Sequence, residues 1–180
     1  MKGKTAVIVF SITGHSHRAA SQLTEMLDAT LIPLHAPKYT SGAFGYVRAA
    51  IDSLLQRCPL GPQSFSSLAE FDRVILCGPV WTSYPAAPLR AVLRGNFCLP
   101  ASVSLFLTTG GRSPATKVFD VAARDLDRPL VACASLPNDV QGTGYKAQIY
   151  DRFVADLRTG ESRMNKSAPA ASDTFKASSG

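Results

Sequence analysis

Three short stretches hold the residues whose types and spacing could do chemistry. The first is Ser11-Ile12-Thr13-Gly14-His15-Ser16, with three hydroxyls around one glycine and no acidic residue. The second is Pro79-Val80-Trp81-Thr82-Ser83-Tyr84, which carries the chain's single tryptophan, and the third is Thr108-Thr109-Gly110-Gly111-Arg112. Hydroxyls and backbone N–H groups donate to phosphate oxygens, and glycine lets a backbone approach an anion closely. An indole offers a flat apolar face with one donor at its edge. The first stretch is thus a candidate phosphate cradle.

Each stretch follows an apolar run that reads as a strand. Thr5-Ala6-Val7-Ile8-Val9-Phe10, Arg73-Val74-Ile75-Leu76-Cys77-Gly78 and Ser102-Val103-Ser104-Leu105-Phe106-Leu107 are short, β-branched or apolar, and suited to burial on both faces. After the first turn, Ala19, Ala20, Leu23, Met26 and Leu27 recur at helical spacing. The first stretch therefore sits at a helix N-terminus, where free N–H groups and the helix dipole favour an anion. The bland alternative is that Ser16 caps the helix and Gly14 merely turns the chain.

The rest of the pattern continues the alternation. Leu31 to Leu34 is a second strand, marked as an edge by Pro33. Phe44, Val47, Ile51, Leu54 and Leu55 mark an amphipathic helix ending near Arg57; Phe44 and Tyr46 read as core, in a segment that could also form a lid. Pro85 to Arg94 reads as a helix with its prolines in the first turn, Ala115 to Asp127 as another. Leu130 to Leu136 reads as the last strand and Tyr145 to Leu157 as the last helix. The expectation is an α/β domain over residues 1–159: a doubly wound, five-stranded parallel sheet of order 2-1-3-4-5 in a three-layer α/β/α stack. In that order the loops after Phe10, Gly78 and Leu107 meet in one crevice. Residues 160–180, rich in Ser, Ala and Lys, read as a disordered tail.

Composition narrows the function. At 180 residues with net charge +6, the chain lacks any basic run interleaved with aromatics, so nucleic acid is not an expected partner. The excess charge suits an anionic ligand. Cys58, Cys77, Cys98 and Cys133 are far apart with no CxxC, which argues against a zinc site or a disulfide scaffold and for the reducing cytoplasm. No apolar run is long enough for a membrane span. Gly14-His15-Ser16-His17-Arg18 has the strand–turn–helix setting of a hydrolase nucleophile elbow, but Arg18 stands where G-x-S-x-G has its second glycine.

The three loops in order resemble the flavodoxin-like family of FMN-binding proteins. Ser11 to Ser16 is similar to that family's phosphate loop, [ST]-x-T-G-x-[ST]; Gly78 to Arg90 resembles its second flavin loop and the helix after it; Thr108 to Gly111 resembles its third. Ser41 to Ala49 resembles a segment of some single-domain bacterial members. The resemblance implies FMN, its phosphate on Ser11, Thr13, Gly14, His15 and Ser16. It implies the isoalloxazine against Trp81, bordered by Pro79, Val80, Thr82, Ser83 and Tyr84. Thr109, Gly110, Gly111 and Arg112 would lie at its pyrimidine edge. The implied activity is NAD(P)H-dependent reduction of a quinone-like or other small acceptor, with no catalytic side chain beyond the flavin's own chemistry. The alternatives are an electron-transfer flavodoxin serving a redox partner protein, and an interaction module that has lost the cofactor. The basic charge, the basic side chains of His15, His17 and Arg18, and the lack of an aromatic residue in the third loop all depart from the acidic one-electron shuttles.

Overall fold

The computed structural model describes residues 3–39, 68–95, 97–110, 116–140 and 144–167, with side chains to residue 160. Between 45 and 61 it describes Gly45, Val47, Arg48, Ile51, Asp52, Leu55, Arg57, Cys58, Leu60 and Gly61. Among the described residues six strands run β1 (Thr5–Val9), β2 (Thr30–Pro33), β3 (Arg73–Trp81), β4 (Tyr84–Pro85), β5 (Ser102–Thr109) and β6 (Cys133–Pro137). The named helices are α1 (His15–Leu27), α2 (Ala87–Arg94), α3 (Thr116–Leu126) and α4 (Gly144–Ser167).

Five strands form a parallel sheet of order β2-β1-β3-β5-β6, which is 2-1-3-4-5 when only those five are counted. The sequence did not announce the sixth. β4 pairs antiparallel with the end of β3, so Pro79 to Trp81, read as loop, continue the strand, and Pro85 belongs to β4 rather than to a helix. The helix that follows begins at Ala87.

Burial explains the order. Every residue of β1 and β5 is buried, as expected of strands covered by helices on both faces, while β2 is partly exposed and ends at Pro33 on the sheet edge. Alternate residues feed two cores. Ala6, Ile8, Phe10, Val74, Leu76 and Leu105 join Leu89 and Val92 of α2 on one face. Val7, Val9, Ile75 and Phe106 join Leu23 of α1 and Phe153 of α4 on the other. Each large side chain so buried contributes about 1.5–3 kcal/mol.

Two expectations change. Gly45, Val47, Arg48, Ile51 and Asp52 are helical as read, but Val47 and Ile51 are 59% and 48% exposed, whereas Asp52 is buried. Val47 and Ile51 thus do not face the core; Phe44 and Leu54 of the same stripe lie outside the described residues. Tyr39, fully buried, donates its hydroxyl to Asp52 Oδ2 at 2.8 Å and holds that carboxylate inside. At the other end of the chain, α4 runs to Ser167, past the boundary read at 159. A Cβ on Gly160 would come within 2.7 Å of the Val131 carbonyl oxygen, so the helix still lies close against the domain there. Phe44, Tyr46 and residues 168–180, with the lid and the rest of the tail, lie outside the described residues.

Candidate functional site

The register sets the site. Val9 pairs with Cys77, and Cys77 with Phe106, so β1, β3 and β5 come level at their carboxyl ends and their loops leave side by side. The connection direction reverses between β1 and β3, the place where open parallel sheets bind ligands.

The first loop is a tight turn closed from within. The Gly14 N–H donates to Ser11 Oγ at 3.1 Å, and Gly14 adopts the left-handed conformation, φ 84°, as the N-cap of α1. No side chain caps this helix, and Thr13 is exposed. Arg18, one turn into the helix, folds back: its Nη2 donates to His15 Nδ1 at 3.0 Å, and its Nη1 lies 3.3 Å from where a Cβ on Gly14 would be. A guanidinium therefore stands over a helix N-terminus that no side chain closes. Both favour a bound anion.

Ser16 differs from the sequence reading. It is buried, and its Oγ shares a hydrogen bond with Thr108 Oγ1 at 2.7 Å. The hydroxyl ties the first loop to the end of β5 instead of facing the outside of the turn. A nucleophile elbow presents its hydroxyl to solvent and to a base, and Ser16 does neither. The hydrolase reading has no support in this geometry. Cys77 sits below, its thiol reaching the Ser16 carbonyl oxygen at 3.4 Å, and burial raises its pKa well above the ordinary thiol value.

The second loop is a two-residue hairpin. Trp81 pairs with Tyr84, Val80 with Pro85, and Thr82 and Ser83 form the tip with φ of 45° and 68°. Two positive φ values define the mirror-image turn that matches strand twist, which ordinarily takes Asn-Gly. Here the tip holds a β-branched residue and a serine, both exposed, so the turn is strained. Replacing Thr82 with Asn and Ser83 with Gly is expected to raise stability by about 1–2 kcal/mol. Thermal unfolding checks it: a rise in Tm of roughly 2–4 °C per kcal/mol. An unchanged or lower Tm would show the tip to be unstrained.

Trp81 is partly buried, with its ring centroid 5.6 Å from Phe10 and 5.3 Å from Tyr39, both edge-to-face. Pro79 and Val80 are also partly buried. Tyr84 lies on the far strand of the hairpin with the Arg90 guanidinium carbon 5.4 Å from its ring centre, and Arg90 is in turn bound to Asp125 of α3. In the third loop Thr109 is buried, and Gly110 is exposed, with no described residue within 4 Å of a would-be Cβ. Gly111 and Arg112 lie outside the described residues.

The structure thus brings together Ser11, Thr13, Gly14 and His15 in one turn and Pro79 to Tyr84 in one hairpin, with Thr109 and Gly110 at the end of β5. The sequence reading left three residues off its site list. Arg18 is signalled by its spacing of four from Gly14 and three from His15 on a helix. Tyr39 had no local signal, since its partner Asp52 is distant in the chain, and Thr108, though it opens the third stretch, gave no sign of its bond to Ser16. The other thiols are unpromising: none of the four cysteines forms a disulfide, burial pushes Cys133 up to about 12, and Cys58 is raised for the same reason. Among the described residues no group of three metal-ligating side chains comes together, and no helix is long and apolar enough to cross a membrane.

No protein-family model matches the chain, and no curated protein matches it in sequence. Solved structures do. A candidate flavoprotein from Bacteroides uniformis superposes with a TM-score of 0.68 at 22% identity, over 83% of this chain and 97% of that one. A second candidate flavoprotein, from Bacteroides eggerthii, gives 0.65 at 18% identity over 84% and 98%. A flavoprotein from Lactobacillus acidophilus, solved in complex with FMN, gives 0.54 at 18% over 81% and 99%. At these identities the likeness establishes the fold, which is flavodoxin-like.

Proposed function

We propose that the chain is an FMN-dependent oxidoreductase that takes electrons from NAD(P)H and reduces a quinone-like or other small acceptor. The observation that carries this reading is the N-terminus of α1: a left-handed Gly14, no capping side chain, and Arg18 folded back over the turn, at the reversal point of the sheet. The fold shared with a flavoprotein solved with FMN supports the choice of ligand. The residues present fit the group. A phosphate would sit on the turn with the Thr13 hydroxyl and the helix N–H groups as donors and Arg18 as counter-charge. The flat ring would lie along the Trp81–Tyr84 hairpin, with its polar edge toward Thr109 and Gly110.

The chemistry FMN supplies when bound is hydride acceptance and electron release. This chain's residues hold and align. Gly14 and Ser11 fix the turn, Ser16 and Thr108 lock that turn to β5, and the hairpin sets Trp81 against Phe10 and Tyr39. The third loop contains no aromatic residue, so one ring face would stay open to a nicotinamide or flat acceptor, where alignment governs hydride transfer. The +6 net charge draws in an anionic donor. Four cysteines outside any disulfide suit a reducing compartment, the cytoplasm.

The test uses Trp81, the chain's single tryptophan. Titrating the full chain with FMN is expected to quench its emission, and with riboflavin to quench only at much higher concentration. Thr13→Ala is expected to weaken FMN about tenfold, as for one charge-assisted hydrogen bond, and to leave riboflavin within about twofold. Unquenched emission at saturating FMN, or equal loss for both ligands, overturns the reading.

A further inference from the structure

A cavity of about 560 Å³ lies beside this site, lined by Lys38, Val47, Arg48, Ile51, Asp52 and Arg57 among others, and none of its described lining residues comes from the three loops. Its size is that of a small-molecule pocket. Three cations line it against a single carboxylate, Asp52. That carboxylate is largely committed: its Oδ2 accepts from Tyr39 at 2.8 Å and lies 3.9 Å from Arg48 Nε. The cavity therefore carries net positive charge among the described residues.

Its walls are not purely polar. Val47 and Ile51 are more than 45% exposed, while Asp52 of the same helix is buried. Exposed branched side chains inside a cationic cavity suit neither water nor a bare inorganic ion. They suit an anion with an apolar body. The location supports this. Tyr39 joins the two sites, its hydroxyl on Asp52 at the cavity and its ring 5.3 Å from Trp81 at the hairpin. Lys38 Nζ stands 5.6 Å from the centre of the same ring.

We propose that this pocket binds an amphipathic anion, a phosphate or carboxylate on a flat apolar body. Resting on the oxidoreductase reading, it holds the charged end of the small redox substrate while the reacting end lies at the hairpin. Lys38 and Arg57 bind the anionic group, and Val47 and Ile51 pack on the body. The same chemistry has two sources: the phosphorylated adenosine half of NADPH, or a free aromatic acid that serves as acceptor.

Isothermal titration of the full chain, with and without FMN, separates them. The probes are 2′,5′-ADP and 2-naphthoate, each with its neutral counterpart, adenosine or 2-naphthol. At least one anion is expected to bind ten times or more tighter than its counterpart, to weaken with added salt, and to name the source. Arg57→Gln and Lys38→Gln are each expected to weaken it at least tenfold while FMN affinity stays within twofold. Neither anion exceeding its counterpart, or both variants binding like the parent, overturns the proposal. Circular dichroism confirms that the variants fold. Anion binding in a chain that does not take up FMN supports the pocket and overturns the flavin reading, so the two fail separately.

Discussion

Replacing Asp125 with alanine is expected to cost about 3–5 kcal/mol, a large part of the stability of a domain this size. Asp125 is the carboxylate that two arginines of α2 share. Arg90 Nε donates to its Oδ2 at 2.6 Å and Nη2 to its Oδ1 at 3.2 Å, while Arg94 Nη2 lies 2.7 Å from Oδ1. The two pairs are unequal. The Arg90 and Asp125 side chains are 4% and 7% exposed, so this pair is buried; Arg94 is 39% exposed and its share is largely screened. Removing the carboxylate leaves the Arg90 guanidinium buried between α2, α3 and the Tyr84 ring without its counter-charge. Asp125→Asn, which keeps the shape and one acceptor, is expected to lose less. Urea unfolding of both variants measures the effect. A loss under about 1 kcal/mol for Asp125→Ala would show that the other contacts of Arg90 already satisfy it. The hairpin should feel the change as well, since Arg90 lies against Tyr84, and a shift in Trp81 emission would report it.

How far the sequence led is clearest from particular residues. The sheet was legible because β1, β3 and β5 are covered on both faces, which demands uninterrupted apolar runs, and because Pro33 marks an edge. The three loops were legible because glycines, hydroxyls and the single tryptophan each follow such a run. The hairpin was not. Its tip, Thr82-Ser83, carries none of the Asn or Gly that two positive φ values normally require, and Pro85 reads as a helix start rather than a strand. The helical face at residues 47–52 was misread because apolar spacing cannot reveal that Tyr39, thirteen positions upstream, draws Asp52 inward. The bond between Ser16 and Thr108 was not legible because the two lie 92 residues apart. The end of α4 was set too early because polar composition marks solubility, not the end of a helix, and Gly160 holds its place by close approach to Val131.

Gly14→Val is expected to lower FMN affinity about 100-fold, or ~2.7 kcal/mol, while riboflavin affinity falls less than about threefold. The physical cause is conformational. Gly14 has φ 84°, where a β-branched residue is strained by about 1–3 kcal/mol, and the new side chain would also meet Arg18 Nη1. The turn relieves that strain by rotating the peptide groups around position 14. Those are the N–H groups the phosphate would use, and Arg18 loses its place above them. The cost falls on the phosphate alone, because the ring would lie on the hairpin and the end of β5. Gly14→Ala, unbranched, should fall between parent and Gly14→Val. Arg18→Gln, which leaves the turn intact, should weaken FMN by a smaller factor and flatten the salt dependence of its binding, since one cation is removed from the anion's surroundings. Tryptophan quenching by the two flavins, at low and moderate salt, measures all three variants against the parent. Equal losses for FMN and riboflavin in Gly14→Val would mean that the turn shapes the domain without holding a phosphate.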